Sequence, residues 1–166
     1  MMMLNGTELK ASIVLQAMVT GLLKAKNDSN FVVKMRTYGY VKDQLCYGCA
    51  ATLTLVEMFG EGRSASELML GYVNTPVAQP HLVEAHLSDV LQLEPLEVQD
   101  SSPINLKKLE RAIDSARTGK VSLLIGILTG RYDESFDDRW NLEDDNWEKC
   151  IPIVEVTIAE MIAAGY

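Results

Sequence analysis

The residues of this chain best suited to chemistry sit in Cys46-Tyr47-Gly48-Cys49. A thiol at the start of a helix is stabilised as thiolate by the helix dipole, which lowers its pKa and raises its reactivity. The apolar run that follows the motif predicts such a helix start, so Cys46 or Cys49 would be the reactive group. Three chemistries fit a pair of thiols two residues apart. They can form a redox dithiol, which belongs in a βαβ setting that the flanking sequence does not suggest. They can provide half of a zinc site, completed by His81 and His86 at four-residue spacing, although 31 residues separate Cys49 from His81, far more than a compact zinc finger uses. Or one of them can act as a single nucleophile. The plain alternative is two small buried residues at a close helix contact, with Gly48 permitting the approach.

For the nucleophile there is a local resemblance. Val41-Lys42-Asp43-Gln44 followed by Cys46-Tyr47-Gly48-Cys49-Ala50 resembles the segment around the active cysteine of papain-like peptidases. The resemblance implies Cys49 as nucleophile and Gln44 as oxyanion-hole donor. It covers about ten residues and lacks the glycine, serine and tryptophan of that family's pattern. No histidine follows His86, so the base would have to be His81 or His86, drawn from a helix.

A second candidate is the acidic segment from Asp133 to Glu148, where eight acids face one base, Arg139, for a net −7 out of the chain's −8. Asp133, Ser135, Asp137, Asn141 and Asp144 approach the spacing of a calcium loop, but Asp138 stands where that loop needs glycine and Asp144 where it needs the longer glutamate. The other reading is a recognition surface. Asp133, Asp137, Asp138, Asp144 and Asp145 would attract a basic partner, and Trp140 and Trp147, with Phe136, would anchor it. The plain counterpart folds those rings onto the core and pairs the acids with Lys34, Arg36 and Lys42. The segment from Lys24 to Lys42 carries five bases against Asp28, a net +4, so the charge is polarised along the chain.

The elements that would position these groups read as helices. Leu9, Ile13, Val14, Met18, Leu22 and Ala25 recur at helical spacing up to Lys26; Phe31 to Tyr40 fits a strand or a helix equally. CAATLTLVEMF closed by Gly60 predicts a buried helix, and Ser64-Ala65-Ser66-Glu67 is a capping box opening another toward Val73. Further helices are expected from Pro80 to Leu93, from Ser102 or Asn105 to Gly119, and over Val121–Thr129, where a strand competes. A last helix is expected from Ile151, with Ile151, Val154, Ile158, Met161 and Ile162 as its apolar residues and Pro152 in its first turn.

The sum is a mainly α, compact single-domain helical bundle spanning residues 1–166, with six or seven helices and room for one or two short strands. The three cysteines are an odd number without an export signal, so free thiols and a cytoplasmic setting are expected. No stretch reaches the roughly 20 apolar residues of a membrane span. The negative charge argues against binding a nucleic-acid backbone. The function expected is a non-enzymatic acidic binding protein, inhibitor- or immunity-like in character, that engages a basic protein surface through residues 133–148 and needs no cofactor. The alternatives are a cysteine-dependent enzyme and a zinc protein using Cys46, Cys49, His81 and His86. A homo-oligomer is compatible with all three.

Overall fold

The computed structural model describes residues 3–4, 7–70 and 106–166. The described residues are mostly helical, with six α-helices and five short strands, and form two compact units. One draws on Met1–Gln16 and Glu94–Tyr166, the other on Ala17–Leu93. The helices expected over 80–93 and the cysteine partners His81 and His86 lie outside the described residues.

In the second unit the ambiguous stretch after Asn30 is a sheet. Strands β3 (Phe31–Val33), β4 (Gly39–Lys42) and β5 (Leu45–Gly48) assemble in the order β3-β5-β4, with β3 parallel and β4 antiparallel to β5. The β4–β5 hairpin turns on Asp43 and Gln44 alone, with φ of 51° and 63°. Two left-handed residues in a row match the twist of the strands they join, which is why such tight turns are favoured in hairpins. Alternation then puts Phe31, Val41 and Cys46 inward and Val32, Tyr40 and Tyr47 outward, where the two tyrosine rings stack at 4.5 Å. The expectation of at most two strands is thus corrected: apolar alternation in three- and four-residue pieces is too short to stand out from helical spacing.

Helix α2 (Ala50–Phe59) is the buried helix read from its apolar sequence, with every residue from Ala50 to Val56 in the interior. It begins after Cys49, so Cys46 is a strand residue and not part of a helix start. Gly60 closes it in right-handed conformation, donating to the Val56 carbonyl. Against it lies α1 (Ala11–Lys26), whose Gly21 allows backbone contact: a Cβ there would be 2.7 Å from the Leu53 carbonyl oxygen. The capping box holds, with Glu67 N–H donating to Ser64 Oγ at 3.1 Å to open α3 (Ala65–Leu70).

The first unit carries the small hairpin β1 (Met3–Leu4) and β2 (Thr7–Glu8), the start of α1, and helices α4 (Leu106–Arg117), α5 (Val121–Thr129) and α6 (Trp147–Ala163). Where helix and strand competed, Val121–Thr129 is a helix, packed on α4 and ended by Gly130 in left-handed conformation. A single turn of 3-10 helix, Glu134–Phe136, packs on α5. Helix α6 starts at Trp147, not Ile151. Pro152 is therefore its sixth residue, where a proline removes the hydrogen bond to the carbonyl of Glu148.

Candidate functional site

The acidic segment was the expected recognition surface, and its geometry is that of a brace. Trp140 and Trp147 are 5% and 6% exposed, Phe136 is buried, and the Trp140 indole N–H donates to the Ala116 carbonyl at 2.8 Å. Indoles held this way are core and not anchors for a partner. The reason is the α4–α5 corner: Gly119 takes φ of 75°, and any side chain there would collide with the Trp140 carbonyl, so chain and corner meet backbone to backbone.

The carboxylates follow the same logic. Helix α5 has no acid in its own first turn and no capping side chain at Lys120. Asp137 supplies both, accepting from Ser122 N at 2.7 Å and from Ser122 Oγ at 2.6 Å, so a carboxylate satisfies a free amide at the positive end of the helix. Asp138 pairs with Lys120 at 2.6 Å, which raises the lysine's pKa. Asp133 caps the 3-10 turn through Ser135 and accepts from the Tyr166 hydroxyl at 2.9 Å; hydrogen bonds from Ser135 and then Tyr166 hold its carboxyl below the usual range. Arg139 reaches Glu160, Thr157 Oγ1 and the Ser135 carbonyl. Buried Arg117 ties Asp114, Glu143 and the Leu142 carbonyl together. Asp138 thus meets Lys120, Glu143 meets Arg117 and Glu160 meets Arg139, cations of the same unit. Among the described residues no three His, Cys, Asp or Glu side chains converge as a metal site, and Asp133 and Asp137 serve different partners.

Asp144, Asp145 and Glu148 remain exposed, at the start of α6. Along that helix Ile151, Val154, Ile158 and Met161 form the buried stripe anticipated from their spacing, whereas Ile162, expected with them, is turned outward. The opposite face is also apolar. Pro152, Val156, Ala159 and Ala163 follow at four, three and four residues down its middle, Ile153 flanks it on one side and Ile162 on the other. Val156 is 59% and Ile162 63% exposed. Glu160 lies between Val156 and Ile153, and Glu155 between Ala159 and Ile162, so each flanking isoleucine stands beyond a carboxylate. Sequence reasoning missed this face because a helix apolar on two faces reads as a strong core pattern, and only the position of the core says which stripe is left outside.

Of the residues expected to assist the thiols, His81 and His86 lie outside the described residues. Cys46 is fully buried, with its thiol 3.9 Å from the Ser66 carbonyl, and burial, with the charge of Asp28 second, pushes it up to about 11. Cys49 precedes α2 in extended conformation, 5% exposed, facing Thr52 Oγ1 at 3.8 Å. Gln44 stands exposed at the hairpin tip, the far end of β5 from Cys49, roughly 16 Å away by the rise of a strand. The oxyanion role implied for it is not assembled here. Cys150 is half-buried, and no disulfide forms among the three.

A feature unmarked in the sequence is a cleft of about 610 Å³ in the second unit, bounded by the end of α1, the turn over 27–30, α2 and the turn into α3. Asp28, Arg63 and Ser66 line it. These came to light only through folding, since they are 38 positions apart at the extremes and no local motif links them.

A comparison with protein families, curated proteins and solved structures finds no match to this chain. No helix among the described residues is long and apolar enough to cross a membrane.

Proposed function

We propose that this protein is a non-enzymatic binding protein that docks a basic, amphipathic protein segment on the outer face of α6. The observation that carries this reading is the apolar outer face itself, with Val156 and Ile162 more than half exposed on a helix whose other stripe builds the core. Single exposed aliphatic residues are ordinary, but several along the outer side of one helix offer an interaction surface. The occupant is set by charge. Asp144, Asp145 and Glu148 at the helix start, with Glu155 beside the face, favour a partner that is basic around an apolar stripe. In this reading the acids at the start of α6 attract the partner, and the anchors are the aliphatic residues of the outer face, since the indoles are buried. Of the two thiols in the alternative enzyme reading, Cys46 is disfavoured by its complete burial, which pushes its pKa up to about 11.

The test uses a synthetic helical peptide with leucine and lysine at heptad spacing, labelled for fluorescence anisotropy. Saturable binding that weakens with salt, and that Val156→Lys abolishes while circular dichroism stays unchanged, is the expected result. Equal binding of a leucine–glutamate peptide of the same pattern overturns the charge argument. A dimer in sedimentation equilibrium that Val156→Lys dissociates would give the face to a second copy of the chain instead.

A further inference from the structure

Apart from the α6 face, the cleft of the second unit has the make-up of a small-molecule site. Its volume, about 610 Å³, falls within the roughly 300–1,000 Å³ usual for such sites. Ala25, Phe31, Leu53, Val56 and Leu70 give it an apolar lining. Of the charged groups at its edge, Glu67 is exposed in the first turn of α3, and Lys24 and Glu57 satisfy one another, with the ammonium 3.0 Å from both carboxylate oxygens. Two others are oriented without being consumed. Arg63 donates from Nε to the Gly60 carbonyl at 3.0 Å, which fixes the plane of its guanidinium, while its two terminal nitrogens have no hydrogen-bond or ion-pair partner among the described residues. A fork of that kind matches a carboxylate. Asp28 is held by Asn30 N–H on Oδ1 at 2.9 Å and by the Ser66 hydroxyl on Oδ2, and each oxygen retains a lone pair for a further donor. Arg63 and Asp28 line one cleft and form no ion pair with each other.

From these features we infer that the cleft binds a zwitterionic ligand with an apolar side chain, an amino acid or short peptide, its carboxylate on Arg63 and its ammonium on Asp28. A molecule with only one of the two charges would leave the other protein group desolvated and unpaired, which is what selects against it. The apolar lining takes the side chain.

Isothermal titration calorimetry on the whole chain decides the matter with four probes: L-leucine, L-leucyl-L-leucine, N-acetyl-L-leucine, which lacks the ammonium, and L-leucine amide, which lacks the carboxylate. Leucine or the dipeptide binds saturably, and the acetylated and amidated probes bind at least about tenfold more weakly, the scale of a lost charge-assisted hydrogen bond. Arg63→Gln lowers leucine to the level of its amide, and Asp28→Asn lowers it to the level of N-acetyl-leucine; Arg63→Gln alone suffices if Asp28→Asn proves unstable on thermal melting. Saturation by neither leucine nor the dipeptide overturns the inference, as does unchanged affinity in Arg63→Gln. Neither result bears on the α6 face, which Val156→Lys tests separately.

Discussion

Cys46 illustrates how far a residue's type is from its chemistry. Two thiols at dithiol spacing read as reactive because a helix start is expected around them; Cys49 is the N-cap of α2, but Cys46 points from β5 into the core. Burial and the nearby Asp28 charge favour its neutral form, so its folded pKa, about 11, lies above the ordinary 9.0. The folded state then holds this proton where the unfolded chain has lost it. The contribution to stability is intact below pH 9 and is lost as pH rises from 9 to 11. Urea denaturation of wild type against Cys46→Ala across that range should show the wild type losing more stability, and iodoacetamide should leave Cys46 unlabelled in the native protein near neutral pH. Rapid native labelling at Cys46 would restore the nucleophile reading. Asp137 is the corresponding case among the acids. As the cap of α5, its replacement by alanine should cost about 1 kcal/mol in urea denaturation, the usual worth of an N-cap, and a change near zero would return it to the pool of partner-binding carboxylates.

At the scale of elements, α6 has the most to explain. Its core stripe follows helical periodicity, and so was visible beforehand; its start was misplaced because Trp147-Glu148-Lys149 looked like the end of an acidic loop and Pro152 like a first-turn proline. In the structure Pro152 stands in the second turn, where it removes one backbone hydrogen bond on the solvent side. Pro152→Ala should therefore stabilise the protein by roughly 1–3 kcal/mol in chemical denaturation, the range between a relieved and a fully opposed helical proline. Destabilisation would mean that the bend at this point is needed for packing α6. The three-stranded sheet is the opposite case. Its strands are three or four residues long, and its hairpin turns on Asp43-Gln44 without the glycine that normally announces such a turn. Nothing local distinguishes it from loop.

On the scale of the whole molecule, charge is distributed unevenly along the chain. Within the acidic segment Asp133, Asp137 and Asp138 hold the fold through Ser135 and Tyr166, Ser122, and Lys120. Asp144 and Asp145, exposed at the rim of α6, supply the long-range attraction in the proposed docking. Reversing both to lysine should slow association with the leucine–lysine peptide, measured by stopped-flow fluorescence, with a difference that shrinks as salt rises toward the roughly 10 Å screening length of 0.1 M. Equal rates at low salt would remove the rim from the mechanism.

By itself the sequence determined what short-range physics controls: the apolar stripes of α1, α2, α4 and α6, the Ser64–Glu67 capping box, the Gly60 end of α2, and the separation of charge along the chain. Each depends on residues within a few positions of one another. Only tertiary structure decided which groups face water. Trp140 is interior because Gly119, 21 positions earlier, lets its backbone approach, Asp137 is a cap because α5 lacks one of its own, and Arg63 and Asp28 share a cleft because α1, α2 and the turn into α3 close around it. Burial, and with it the availability of an aromatic ring or a charge, is a property of contacts between distant segments, and spacing along the chain carries no record of those.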